Sequence, residues 1–354
     1  MNQRIQILFL LFIFPTWALG QHPHASHFQN QALTGYYEGS IAAVNTIQKI
    51  VETNAPIKAA PIASGNYIVI GNTDGILFCL DTLGNLHWST KTENSIEATA
   101  LLLKQTVFQG DLSGNLYAFD LLSGKQKWKY TADNQIMGAP NWFVRNGDTC
   151  ILAGSYDYYL HCIDAKTGLG VWKYELDNYL NGTVAVKNER IVFGGCDGYI
   201  HVVNSNDGTR INRYDVATYI AGSPCIFGDF ACTGDYDGGI TCVHLPSGKQ
   251  AWQYKKTENN LPFVSGVACH EGLIFIGSYD KHAYCFDARI GTLRWTVNTG
   301  MKIEAAPIIA KNGVLFLNAR GELWFLNPEN GHVIWKFDLG IMTMNSPAVI
   351  NSGL

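Results

Sequence analysis

Short runs of alternating apolar and polar residues fill most of the chain, and glycine-bearing turns separate them. A period of two over so few residues predicts β-strands with one buried face. The runs also recur as a unit. An apolar strand ends in Gly, an Asp-Gly pair follows two residues later, a second alternation ends in Asp, and Gly and Trp close the unit. Clear copies are Gly71 to Trp88, Gly110 to Trp128, Gly154 to Trp172, Gly234 to Trp252 and Gly277 to Trp295. Gly194 to Asn212 has lost its Trp, and Leu317 to Trp335 carries Arg320-Gly321 at the turn. Gly35 to Val51, with Glu38-Gly39 at the turn, reads as an eighth copy.

The turn positions 38, 74, 113, 157, 197, 237, 280 and 320 lie 36 to 44 residues apart, the length of one four-stranded propeller blade. Each element has a task. The Asp-Gly pair supplies the positive φ of a tight hairpin, and the Asp and Gly before each Trp make the next turn. Small residues, often with Pro, open the units (Ala59-Ala60-Pro61, Gly138-Ala139-Pro140, Gly222-Ser223-Pro224, Ala305-Ala306-Pro307) and suit strands crowded around a central axis. Asn345-Ser346-Pro347 starts a further unit that stops after one strand, whereas the copy at Gly35 lacks an opening strand. The pattern therefore predicts an all-β chain forming one eight-bladed propeller of four antiparallel strands per blade. Its closing blade is shared between the two termini, which removes open sheet edges.

Composition supports one large β fold: 47% of residues are apolar and only 15% charged, ample for a core. A formal net charge of −4 offers no basic excess for nucleic acid. Residues 1–20 read as a cleaved signal peptide, with Arg4 before the apolar run Ile5 to Phe14 and small residues at Ala18 and Gly20. Residues 21–27 form a flexible leader, the propeller occupies 28–354, and the product is a periplasmic or secreted monomer. No Cys follows the cleavage point, where Gln21 stands, so no lipid anchor is expected. Of nine Cys, Cys79, Cys162, Cys242 and Cys285 recur at one strand position and read as core thiols. Cys225 and Cys232 make a weak candidate disulfide across one hairpin.

The stretches Asp120 to Trp128 and Asp164 to Trp172 share Asp, two residues, Ser or Thr, Gly, and a Trp four further on; Asp287 to Trp295 keeps the pattern with Ile290. In these stretches the chain resembles the pyrroloquinoline-quinone-like (PQQ-like) propeller superfamily, over nearly all of residues 28 to 354. The resemblance implies that Trp88, Trp128, Trp172, Trp252, Trp295 and Trp335 dock adjacent blades. The superfamily contains quinone-dependent alcohol dehydrogenases and non-enzymatic propellers of the BamB type, so fold alone does not decide function. The dehydrogenases carry a vicinal disulfide over the quinone, and this chain has no adjacent Cys. They also bind Ca²⁺ through Glu, Asn and Asp at the channel mouth. Here the residue before each small triplet reads Lys58, Glu97, Met137, Asn181, Ala221, Ser265, Glu304 and Met344, of which Glu97, Asn181 and Glu304 are oxygen donors. Lys58, Glu97, Asn181 and Glu304 are thus candidate ligand residues at the channel mouth. The expected function is a non-enzymatic scaffold for an envelope or extracellular protein. PQQ with Ca²⁺ is the alternative, and glycan binding a further one, since Tyr156, Tyr158, Tyr159, Tyr236 and Tyr279 gather at equivalent turns.

The remaining candidates read as structural. His22, His24 and His27 belong to the leader, and the other His fall singly on strands, without metal-ligand spacing. Asn181-Gly182-Thr183 matches a glycosylation acceptor in an inner strand where a glycan does not fit. Asp74, Asp157, Asp197, Asp237 and Asp280 lie in separate hairpins, too far apart for paired acid–base chemistry.

Overall fold

A computed structural model describes residues 28–256 and 260–349, together with the backbone of Gln6–Phe9 and His24–Ala25. The fold is all-β. Seven antiparallel four-stranded units follow one another along the chain, at 62–91, 101–131, 141–175, 185–215, 225–255, 268–298 and 308–338, here blades 1 to 7. The alternation read from the sequence accounts for the layering. In blade 4 the second strand, Arg190–Gly194, is buried after its first residue, whereas the fourth, Arg210–Asp215, is mostly exposed. The hairpin turns adopt positive φ at Gly75, Gly114, Gly198, Gly238 and Gly321. Tyr158 and Lys281 take the same conformation in blades 3 and 6, at φ 72° and 76°, without the glycine that usually marks it.

Five blades grip the next through their Trp. The indole Nε1–H of Trp88 donates to the Leu121 carbonyl at 2.7 Å, and those of Trp128, Trp172, Trp252 and Trp295 donate to Ala165, Ser205, Ala288 and Pro328. The ring then covers a turn glycine of that neighbour, such as Gly124 or Gly168. Where blade 4 has lost its Trp, the Asn212 amide donates to the Gly248 carbonyl instead.

Between blades 7 and 1 the expected eighth copy is not a four-stranded blade among the described residues. Tyr36–Tyr37 runs parallel to the innermost strand of blade 7, Ile308–Ala310, and Glu38–Gly39 makes no hairpin. Apolar residues there recur every third position (Ile41, Val44, Ile47, Ile50), which cannot line one face of a strand. The sector is filled otherwise. Ile41, Val44 and Val349 pack on blade 7, Val51 and Ile57 pack on blade 1, and Lys49–Glu52 pairs with Gln6–Phe9. Ser346 Oγ accepts from the Ala306 amide, and the Asn345 amide donates to the Ile57 carbonyl, so residues 344–349 bridge blades 7 and 1. The remainder of the proposed signal segment, with His22 and His27, lies outside the described residues.

The Cys expectation needs correction. The disulfide joins Cys232 to Cys242, not to Cys225. All three are cross-strand neighbours in blade 5, but Cys232 and Cys242 form a narrow pair with Cα atoms 4.2 Å apart, which brings their sulfurs together. Cys242 therefore departs from the free thiols Cys79, Cys162 and Cys285 at its repeat position.

The turn carboxylates brace their blades and the junctions to the preceding ones. Asp157 and Asp197 accept from His161 and His201 at 2.9 and 3.0 Å, and the second ring nitrogens meet Tyr130 and Tyr174. Asp280 bridges buried Lys256 and Tyr284. Burial opposes ionisation of all three, yet the bonds from His or Lys prevail and hold each carboxyl below its usual range. A depressed folded value means that the stability is complete above the unfolded value of about 3.9 and is lost as pH falls through it to the folded one. Melting temperature is expected to drop steeply on that acid side. Asp197→Asn should lower melting at neutral pH and flatten the acid limb; an unchanged limb would refute the assignment.

Candidate functional site

Six residues are delivered to the mouth of the central channel by one packing rule. The glycine ending the second strand of one blade has no room for a β-carbon, because an apolar residue of the next unit lies on it: Ile136 on Gly110, Leu180 on Gly154, Phe263 on Gly234. These apolar residues are fully buried. The residue after each is thereby fixed at the channel. Lys58, Glu97, Met137, Asn181, Ala221, Val264, Glu304 and Met344 all line one cavity of about 200 Å³. The sequence candidates Lys58, Glu97, Asn181 and Glu304 thus converge on a single site. Ser265 does not belong among them: its hydroxyl turns inward to the Gly277 amide and carbonyl, and Val264 holds the ring position.

The cavity is a blind cup. Its walls are the small triplets of the inner strands, and its floor includes Phe28, packed so closely on Gly266 that no β-carbon fits there. The segment from Phe28 crosses the inner strands beneath it. The Gln31 carbonyl accepts from the Val186 amide in blade 4, Ala32 from Ile226 in blade 5, Thr34 from Cys269 in blade 6 and Gly35 from Ile309 in blade 7. Upstream, His24–Ala25 pairs with the innermost strand of blade 2. Leu33, at the centre of this strap, has no exposed surface.

Charges at the mouth are matched. Lys58 Nζ lies 2.7 Å from Glu97 Oε1, and Lys302 Nζ 2.5 Å from Glu304 Oε1. Around half of the mouth runs an arc of tyrosines. A blade's second turn is tied to the segment leading to its own ring residue: the Tyr156 amide donates to Gln135, Cys196 to Tyr179, Tyr236 to Tyr219 and Tyr279 to Pro262. Tyr156 stacks on Tyr179 with centroids 4.6 Å apart, and its hydroxyl donates to Asn181 Oδ1. Tyr158 leans on Tyr179, and Tyr219 meets Tyr236 edge to face. Burial, then the Glu304 carboxylate, pushes the Tyr279 phenol up to about 12. Tyr158, Tyr179, Tyr219 and Tyr236 remain 39 to 58% exposed. Tyr159 stands apart, within its blade against His161 and Lys173. Tyr179 and Tyr219 escaped the sequence reading, although both stand two residues before a ring position, a spacing the repeat makes visible.

A sequence model of the family described as outer membrane protein assembly factor BamB matches residues 38–155, 138–261 and 236–352. The dehydrogenase subunit of a quinone alcohol dehydrogenase from Komagataeibacter europaeus is 30% identical over 130 residues, covering 30% of this chain and 18% of that protein. The chain thus spans less than a fifth of the curated relatives it matches. The crystal structure of BamB from Moraxella catarrhalis superposes with a TM-score of 0.69 at 16% identity, over 81% of this chain and 90% of that one. Quinohemoprotein alcohol dehydrogenase from Comamonas testosteroni gives 0.73 at 12% identity, over 94% and 76%. Both likenesses show the propeller fold. No helix of the described residues is long and apolar enough to cross a membrane.

Proposed function

The chain belongs to the outer membrane protein assembly factor BamB family, and from that premise we propose an exported, non-enzymatic binding propeller. Its recognition face is the tyrosine-rimmed mouth of the cup, and its partner is an envelope or extracellular protein. The observation that carries this reading is the arc itself. Tyr158, Tyr179, Tyr219 and Tyr236 offer large, half-exposed, mutually braced rings beside a concavity, the surface type that anchors protein interfaces at low entropic cost. The apolar run at residues 5–14 supports export to the periplasm or beyond.

A calcium-bound quinone fits these residues poorly. Such a cofactor needs uncompensated anionic oxygens, and both ring carboxylates, Glu97 and Glu304, are paired with lysines. Among the described residues no group of three or more His, Cys, Asp or Glu is placed to hold a metal ion.

The test is capture from an envelope fraction with the purified chain and with a Tyr219→Ala/Tyr236→Ala variant of equal stability. Proteins retained by the first and reduced at least roughly tenfold with the second are expected, since hot-spot aromatics carry about 2 kcal/mol each. Equal retention by both would remove the arc from recognition. Quinone-dependent dye reduction would overturn the reading altogether, and glycan-array binding lost in the variant would replace the protein partner with a saccharide.

A further inference from the structure

We infer that Cys225 and Cys269 form a second disulfide, which staples blade 5 to blade 6. The backbone brings the two positions side by side. The Val267 amide donates to the Ser223 carbonyl between the innermost strands of these blades, at 3.1 Å, and Cys225 and Cys269 each lie two residues further on. The two innermost strands belong to different sheets but are in contact there, and a disulfide spans Cα atoms about 4.4–6.8 Å apart. The side chains follow: both thiols are buried, inside one cluster with Trp252 and Phe263.

The residues are specific to this junction. At the position of Cys225 the other blades carry Ile62, Leu101, Asn141, Ala185, Ala268 and Ile308, so a cysteine there is not a requirement of the repeat. This separates the pair from Cys79, Cys162 and Cys285, which recur as core thiols. Cys225 also has no competing use, because Cys232, its cross-strand neighbour, is already joined to Cys242.

Closure breaks two S–H bonds and makes one S–S bond. Two electrons and two protons pass to a disulfide oxidant, a protein or glutathione disulfide, which leaves as two thiols. Both sulfurs are buried once the blades have docked, and burial pushes the Cys225 thiol far above its usual range, so the folded Cys225 is a poor nucleophile. The bond therefore forms while the blades assemble and afterwards resists exchange. Its place gives it a role in recognition: blades 5 and 6 carry Tyr236 and Tyr279, and the staple holds these two turns of the arc in fixed relation.

In cells the bond rests on export into an oxidising compartment, but refolding tests it independently of that reading. The full chain is refolded in glutathione disulfide and glutathione, free thiols are alkylated, and an unreduced digest is mapped by mass spectrometry. A cross-linked peptide joining Cys225 and Cys269 is expected beside the one joining Cys232 and Cys242. Alkylation of Cys225 and Cys269 after full oxidation, or a Cys225–Cys232 link, would overturn the inference. As a second readout, a Cys232→Ala/Cys242→Ala variant should still lose about 5 °C of melting temperature on reduction. A melting curve indifferent to reductant would count equally against the staple. Signal cleavage and location, read separately by N-terminal sequencing, test export alone.

Discussion

Trp252→Ala is expected to destabilise the folded chain by about 3–5 kcal/mol, the range of a buried Trp truncation. Three links are lost together. The indole is 8% exposed within the core shared by blades 5 and 6. Its Nε1–H satisfies the Ala288 carbonyl of blade 6 at 3.0 Å. The ring also lies flat on Gly291, whose φ of 71° gives the turn its course beneath it. Trp252→Phe keeps most of the area and should cost about 1 kcal/mol through the missing hydrogen bond. Gly291→Ala should fall between the two, since a β-carbon would enter the indole and the residue would be held at positive φ. Trp335 provides the internal control. It ends blade 7, where no regular blade follows, and its Nε1–H has no hydrogen-bond partner among the described residues. Trp335→Ala should accordingly cost clearly less than Trp252→Ala. Urea unfolding of the four variants checks the order, and equal losses at Trp252 and Trp335 would show that the Trp serves its own blade rather than the junction.

That ordering depends on what the repeat made legible. Seven blades, the Trp position and the ring residues were readable because each recurs, so a weak local pattern is reinforced at every turn of the propeller. Lys58, Glu97, Asn181 and Glu304 were placed together for that reason alone; nothing in any one of them signals a site. The errors have the converse cause. Gly35 to Val51 reads as a blade from its turn residues, but its apolar residues recur every third position, and of it only Tyr36–Tyr37 and the end of the segment at Lys49–Glu52 pair as strands among the described residues. Ser265 precedes the small residues of its unit, but buried Phe263 sets the register one residue earlier and puts Val264 on the ring. The Cys232–Cys242 bond depends on which cross-strand pair is narrow, a property of backbone geometry that spacing does not encode. The strap had no signal at all. Phe28 to Gly35 occurs once, its hydrogen bonds run to five different blades, and its apolar residues Phe28, Ala32 and Leu33 show no period of two.

Because the strap occurs once and Leu33 is its fully buried centre, it can be tested by one residue. Leu33 has no exposed surface and packs among Ala185, Ile226, Ala231 and Ala306, contributed by three blades. Leu33→Ala removes about 3 kcal/mol of burial. The blades keep their own Trp contacts, so the least costly response is release of the strap rather than global unfolding. Release would free the amides of Val186, Ile226, Cys269 and Ile309, whose partners are strap carbonyls. Hydrogen exchange at these four amides is expected to accelerate roughly a hundredfold, the equivalent of 3 kcal/mol. The amides of the second strands, such as Ile191 and Ala231, should keep their protection. The floor at Phe28 would go with the strap, turning the blind cup into a through-channel, and any ligand dependent on that floor would be lost while the tyrosine arc stayed intact. Unchanged exchange at the four amides, or uniform acceleration across the blades, would refute an independently releasable strap.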